Sequence, residues 1–355
     1  MNPTHETDVV IIGAGPAGLF AVFQCGMMKL RCHVLDALVF PGGQCAALYP
    51  EKPIYDIPGY PSILAQDLVE KLEQQAAPFS PVYHLGEQVV KVESGVQSSE
   101  FGKDNPELRT PNSDHFLIST SAGTTIACKA ILIAAGCGAF GPNRPPLSGL
   151  EEYEKSGAVA YLVRRREDYR GRRVVIAGGG DSAVDWAISL VEVAAHVYVV
   201  HRRDKFRAAP ESEEKLKALA GAGKIELVIP YQLSGLEGAG GALSAVLVKD
   251  LDGNEKKLPA DTLLPFYGLA MELGPIAQWG LNLHMKHIEV NPATLETNIP
   301  GIYAIGDIAT YKNKLKLIAC GFAEAAMAAH AIYPRVHPDK AYHFEYSTTS
   351  GVPGA

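Results

Sequence analysis

The sequence predicts an α/β fold built from two Rossmann-like dinucleotide-binding domains. Three observations carry that expectation. An apolar run near the N-terminus ends in a glycine loop, the same strand–glycine–helix pattern returns about 165 residues later, and the two strands that follow end in opposite charge. A chain of 355 residues is long enough for two domains.

Asp8-Val-Val-Ile-Ile-Gly13 is an unbroken apolar run closed by glycine, the pattern of a strand buried on both faces of a parallel sheet. Pro16 to Met28 reads as a helix, and Arg31-Cys-His-Val-Leu-Asp36 as a second strand, which completes a βαβ unit. Residues 37–63 read as a long loop rich in Gly and Pro, and a loop of that length inside a domain is usually functional. A helix is expected from about Ala65 to Gln75, a polar excursion from Ser94 to Asp114, and a buried strand from Ala130 to Gly136. Pro142-Asn-Arg-Pro-Pro-Leu-Ser-Gly149 carries three prolines and reads as a stiff crossing between domains.

The pattern then repeats: a strand over Arg173–Gly178, a helix over Ser182–Val193 and a strand over His196–His201. The chain is expected to cross back near Leu263–Gly268. Gly301-Ile-Tyr-Ala-Ile-Gly306-Asp307 reads as a strand ending in Gly-Asp, Leu317 to Ile332 as an Ala-rich helix, and the segment from Pro334 as a polar, aromatic tail. The expected boundaries are a first domain over 1–141, completed by 268–355 with a C-terminal extension, and a second over 142–267.

The first glycine loop, Gly13-Ala-Gly15-Pro-Ala-Gly18, fits G-x-G-x-x-G. Gly13 allows the tight turn, Gly15 admits a pyrophosphate to the backbone, and Gly18 lets helix and strand pack closely. Free N–H groups at the helix start, with the positive end of its dipole, suit phosphates. Asp36 ends the next strand. A carboxylate there accepts hydrogen bonds from ribose hydroxyls and repels a 2′-phosphate, which selects FAD or NAD over NADP.

The second loop, Gly178-Gly-Gly180-Asp181-Ser182-Ala183, fits G-x-G-x-x-A. Its following strand ends in His201-Arg202-Arg203, with Arg207 close behind and no carboxylate to hold a 2′-hydroxyl. Guanidinium forks at that place suit a 2′-phosphate. Two charge-assisted hydrogen bonds contribute about 3–6 kcal/mol, enough to prefer NADPH over NADH by about a hundredfold or more. One site repels what the other attracts, so the pair implies FAD beside NADPH.

The remaining features narrow the function class. Lys and Arg number 32 against 39 Asp and Glu, a net charge of −7 that argues against a nucleic-acid protein. No signal peptide and no membrane span is expected, so a soluble cytoplasmic protein is the expectation. Six cysteines, none three residues from another, leave no C-x-x-C redox pair and no zinc-type spacing. The histidines are scattered; no metal site, Ser-His-Asp set or paired catalytic carboxylate is expected.

Gly178-Gly-Gly-Asp-Ser-Ala-Val-Asp-Trp-Ala, His201-Arg-Arg-Asp-Lys-Phe-Arg-Ala and Gly301-Ile-Tyr-Ala-Ile-Gly-Asp resemble the low-molecular-weight thioredoxin reductases. That family has a C-x-x-C disulfide ahead of its NADPH loop, where this chain reads Ala158-Val-Ala-Tyr-Leu-Val-Arg-Arg. The closer resemblance is to the thioredoxin-reductase-type (type 2) ferredoxin–NADP⁺ reductases. Ala47-Leu-Tyr-Pro-Glu-Lys-Pro-Ile-Tyr-Asp, Leu317-Ile-Ala-Cys-Gly-Phe-Ala-Glu-Ala and a C-terminal Ser-Thr-Thr carry it, over nearly the whole chain.

That resemblance implies a thioredoxin-reductase-like architecture, a homodimer, and flavin contacts residue by residue. Asp36 would hold the adenosine ribose, Gln44 would hydrogen-bond the cofactor, and Tyr49 would stack on the isoalloxazine, with Tyr346 on the opposite face. Val89 would meet the adenine region, Phe140 would lie near the dinucleotide, Asp307 would meet the ribityl or pyrophosphate portion, and Thr348 would come from the tail. It also implies an acidic iron–sulfur partner, ferredoxin, met by a basic patch. Two candidates are Arg164–Arg166 with Arg170, Arg172 and Arg173, and the lysines Lys312, Lys314 and Lys316. The alternatives are an NADPH-dependent reductase of another acceptor such as flavodoxin or a quinone, a non-catalytic flavin or NADPH sensor, and a disulfide reductase assembled from distant thiols.

Overall fold

Val9–Ile12 is wholly buried, as its apolar run requires, and lies at the centre of a five-stranded sheet. The order is Ile302–Ala304, Ala130–Ile133, Val9–Ile12, Cys32–Asp36, Val82–Leu85, every pair parallel. The computed structural model describes residues 3–95, 115–136, 138–340 and 347–352. The chain forms two compact units, Met1–Phe140 with Met271–Ala355, and Gly141–Ala270.

In the first unit the helix Pro16–Met27 leads from the central strand to Cys32–Asp36 on one side, while Ala130–Ile133 pairs on the other. Sheets of this kind open a crevice at the carboxyl ends of the strands where the order reverses. The helix Ile318–Val336 packs against Pro16–Met27, with Ala325, Ala328 and Ala329 fully buried so that the backbones approach closely. An antiparallel meander, Val89–Ser94, Phe116–Thr120 and Thr125–Cys128, completes the unit.

The second unit repeats the plan. Glu226–Val228, His196–Val200, Arg173–Ala177 and Thr262–Pro265 form a parallel sheet that reverses at Arg173–Ala177. A meander of Gln232–Ala239, Ala242–Lys249 and Glu255–Pro259 stands beside it.

Three sequence expectations need correction. The long loop over 37–63 contains a short helix, Gly43–Leu48, and a hairpin of Pro53–Ile54 with Ile63–Leu64. The second βαβ helix spans Asp181–Leu190, shorter than expected. The last long helix does not stop before Pro334 but runs to Val336. A proline in the final turn costs one backbone hydrogen bond. Ile332 and Val336 are buried, and Lys129 Nζ donates to the Val336 carbonyl at 3.2 Å, which holds the end in place. Most of the polar excursion, from residue 96 to 114, lies outside the described residues.

Candidate functional site

A cavity of about 350 Å³ lies in the first unit at the reversal point of the sheet. Gly13 and Gly15 line it, with Asp36, Gln44, Tyr49, Val89 and Asp307. The turn at Gly13 has φ +111°, and a Cβ there would meet the Ala134 carbonyl oxygen at 2.4 Å, so only glycine fits. Gly15 caps the helix Pro16–Met27, whose first turn holds no acidic side chain. The positive end of that helix therefore faces the cavity uncompensated, and Pro16 at the first position leaves the neighbouring N–H groups free for an anion. Gly18 does not line the cavity: a Cβ on it would strike the Gly13 carbonyl, so it serves the close packing of helix on strand.

Asp36 ends its strand with both carboxylate oxygens engaged. Oδ2 accepts the Ala14 N–H at 2.7 Å, and Oδ1 accepts the Leu38 N–H at 2.8 Å. Burial raises its pKa above the ordinary carboxylate value, and the two N–H donors oppose that rise. Each oxygen keeps a lone pair for a ligand hydroxyl.

The short helix Gly43–Leu48 starts where Gly42 has φ +111° and Gly43 +54°. It presents Gln44 and Cys45 to the cavity, with Tyr49 at its end. The Cys45 thiol and the Tyr49 hydroxyl lie 3.7 Å apart, and burial pushes the thiol up to about 11. Asp307 stands in the 3-10 turn Gly306–Ile308, and Val89 begins the meander. Cys45, Glu87 and Ile276 line the cavity too, and no local sequence pattern marks them. Phe140 falls on the strand Ala139–Pro142, and its side chain lies outside those described, as does Tyr346 altogether. Thr348 is exposed on the one-turn helix Ser347–Ser350 and is not part of the cavity lining.

The second glycine loop belongs to the other unit. A Cβ on Gly178 would meet the Phe266 carbonyl oxygen at 2.7 Å, one on Gly179 would enter the His201 ring, and one on Gly180 would meet open space. Ala183 is fully buried against the loop, whereas Asp181 and Ser182 are exposed. Arg207 N–H donates to the Gly179 carbonyl at 2.6 Å, and Asp181 Oδ1 accepts the Ala209 N–H at 2.9 Å. These bonds fold the 207–209 segment back onto the loop. Arg202, Arg203 and Arg207 are exposed. Burial, followed by these three guanidinium groups, lowers the His201 pKa. The three cationic side chains thus lie close enough to His201, whose ring abuts Gly179, to disfavour its charged form.

The two basic patches fare differently from expectation. Arg165, Arg166, Arg170 and Arg173 pair with Asp168, Glu192, Glu167 and Asp261. Lys314 is not a surface residue; its side chain is 5 % exposed and pairs with Glu324. Lys316 Nζ lies 2.7 Å from His287 Nε2, and Lys312 is exposed. Among the described residues no group of three His, Cys, Asp or Glu forms a metal site, and no helix is long and apolar enough to cross a membrane.

Comparison with known proteins agrees with this geometry. The family model for pyridine nucleotide-disulphide oxidoreductases matches residues 7–325. A ferredoxin–NADP reductase from Paramagnetospirillum magneticum is 64 % identical over 98 % of both chains. Another, from Granulibacter bethesdensis, is 60 % identical over 98 % of this chain and 95 % of its own. The crystal structure of Lactococcus lactis thioredoxin reductase superposes with a TM-score of 0.76 at 26 % identity, covering 94 % of this chain and 99 % of that one.

Proposed function

The chain belongs to the pyridine nucleotide-disulphide oxidoreductase family and, within it, to the ferredoxin–NADP reductases, and from that premise we propose which of its residues do the work. It is an FAD-dependent ferredoxin–NADP⁺ reductase. Bound FAD supplies the exchange between the two-electron chemistry of NADPH and the one-electron chemistry of an iron–sulfur protein.

In this reading the first unit, Met1–Phe140 with Met271–Ala355, is the FAD domain and Gly141–Ala270 is the NADPH domain, within three residues of the bounds expected from the sequence. Gly13 and Gly15 admit the pyrophosphate to the helix start, and Asp36 accepts the ribose hydroxyls. Gln44, Val89 and Asp307 hold the rest of the cofactor, and Tyr49 lies along the flavin. Phe140, Tyr346 and Thr348 remain assigned to FAD by family resemblance. In the second unit Gly178, Gly180, Asp181, Ser182 and Ala183 build the turn that receives NADPH, while Arg202, Arg203 and Arg207 hold its 2′-phosphate. No side chain is assigned a proton-transfer role, because hydride transfer between the two cofactors requires positioning and exclusion of water rather than a protein acid.

The observation that carries this reading is the contrast between equivalent strand ends: a carboxylate bonded to the glycine loop at Asp36, and three exposed guanidinium groups beside the loop at Arg202, Arg203 and Arg207. Anaerobic stopped-flow tests it. NADPH should bleach the flavin within the turnover time, NADH should do so far more slowly, and added ferredoxin should restore the colour. A colourless protein, or a flavin that NADPH leaves oxidised, would overturn the reading. The same family resemblance implies a cytoplasmic homodimer, which light scattering on the eluted protein tests for mass.

A further inference from the structure

One buried ion pair lies under the flavin cavity without any place in the chemistry so far. Glu324, on the helix Ile318–Val336, is 2 % exposed. Its Oε1 accepts from Lys314 Nζ and, at 2.7 Å, from the Tyr311 hydroxyl. Its Oε2 accepts the Gly306 N–H at 2.7 Å. Burial and then the Glu324 carboxylate raise the Tyr311 phenol above its ordinary pKa, so it stays a donor.

One of these donors, the Gly306 N–H, belongs to the cavity wall itself. Gly306 and Asp307 form the turn that lines it, and Leu317 and Ile318, just past Lys314, line it as well. The turn itself is tightly seated: Gly306 has φ +70°, and a Cβ on it would lie 3.4 Å from Ala17 Cβ at the start of the first helix. A Cβ on Gly321 would lie 3.6 Å from the Gly306 Cα. A buried carboxylate is costly unless several donors meet it, and a buried ion pair is rarely a gain in stability over an apolar replacement. Its presence beside the cavity therefore points to a role other than stability.

We propose that Glu324 is a positioning residue of the flavin site: by accepting the Gly306 N–H it fixes the turn that presents Asp307 to the cofactor, with Lys314 as its counter-charge. The inference rests on the reading of this cavity as the FAD site. It assigns the important interaction to one acceptor on Glu324 rather than to the charge pair as such.

Two double variants separate the two. Glu324→Gln with Lys314→Met removes both charges and keeps an oxygen for Gly306 N–H. Glu324→Leu with Lys314→Met removes both charges and that oxygen. FAD release from each holoenzyme is followed by recovery of flavin fluorescence on dilution, with the visible flavin spectrum and the far-UV unfolding temperature measured in parallel. The glutamine variant should release FAD within about threefold of the wild-type rate, and the leucine variant about tenfold faster or more with a shifted flavin band. Should the leucine variant fail to fold, Glu324→Asp takes its place: it stays beside Lys314 but falls short of Gly306, and the same acceleration is expected. Equal release rates in the glutamine variant and its comparator, or faster release only in step with lower unfolding temperature, would overturn the inference. A wild-type protein that carries no flavin would remove the underlying reading instead.

Discussion

The Asp36 carboxylate accepts a hydrogen bond from the Ala14 backbone N–H at 2.7 Å, so the strand that ends the first βαβ unit is tied directly to the glycine loop that begins it. Asp36→Ala leaves that N–H and the Leu38 N–H without their acceptor and, with the ribose assigned to Asp36 as proposed, removes that contact as well. The FAD dissociation constant should rise by about a hundredfold, on the order of 3 kcal/mol. Fluorescence titration of the flavin-free protein measures it.

Arg202 and Arg203 stand exposed beside the second glycine loop. Arg202→Ala and Arg203→Ala should each raise KM for NADPH by about tenfold or more, while kinetics with NADH stay within about twofold. An equal loss with both coenzymes would move the 2′-phosphate elsewhere.

Lys312 and Lys314 are two positions apart in sequence and differ wholly in setting. Lys312 is exposed, and Lys312→Glu should raise KM for ferredoxin severalfold in a salt-dependent way and leave NADPH–dye turnover unchanged. Lys314→Glu places a second carboxylate against buried Glu324 and should lower the unfolding temperature instead. Steady-state assays with ferredoxin and with a dye, beside thermal melts, separate the two outcomes.

His33 is buried, stacks on His84 at 5.1 Å between ring centroids, and lies 3.0 Å from it through Nδ1 and Nε2. Burial, with His84, His5 and Arg31, lowers its pKa to about 4. The unfolded chain therefore binds this proton more tightly than the folded one. Stability should be at its full value above about pH 6.5 and fall as pH drops toward about 4, by on the order of 2 kcal/mol. Denaturant melts between those limits measure the slope, and His33→Gln should flatten it. Glu87, within 4.0 Å of His84, has its own pKa lowered chiefly by the Thr120 hydroxyl, so its contribution is also lost as pH falls and adds to the slope.

Cys25, Cys32, Cys45 and Cys128 are buried, and burial raises the pKa of Cys45 and Cys128. Thiol alkylation of the native protein at neutral pH should leave NADPH–ferredoxin turnover intact. Loss of turnover in proportion to the thiols modified would revive the disulfide-reductase alternative.

What the sequence made legible was local. Both glycine loops, both following strands and the charges that end them are contiguous, so pattern and spacing reach them. The helix Gly43–Leu48 was hidden by its own glycines: Gly42 and Gly43 read as a loop, yet Gly42 is packed so tightly against Ala46 and Val69 that a Cβ would clash. Tertiary packing makes that helix, and propensity does not announce it. The helix end at Pro334 misled for the same reason, since buried Val336 outweighs the missing N–H. The misplacement of Lys314 is the plainest case. A lysine among lysines reads as surface, and only the fold brings Glu324 to it.

The repetition of one architecture in both halves bears on how such a chain changes over generations. The arginines by the second glycine loop are exposed, and among residues 201–209 only Phe206 is buried, so their replacement should leave the sheet beneath intact. With the 2′-phosphate assigned to these arginines as proposed, coenzyme preference is separable from foldability. A lineage, or a designer, can exchange NADPH for NADH by rewriting a few exposed positions in one half while the flavin half stays as it was.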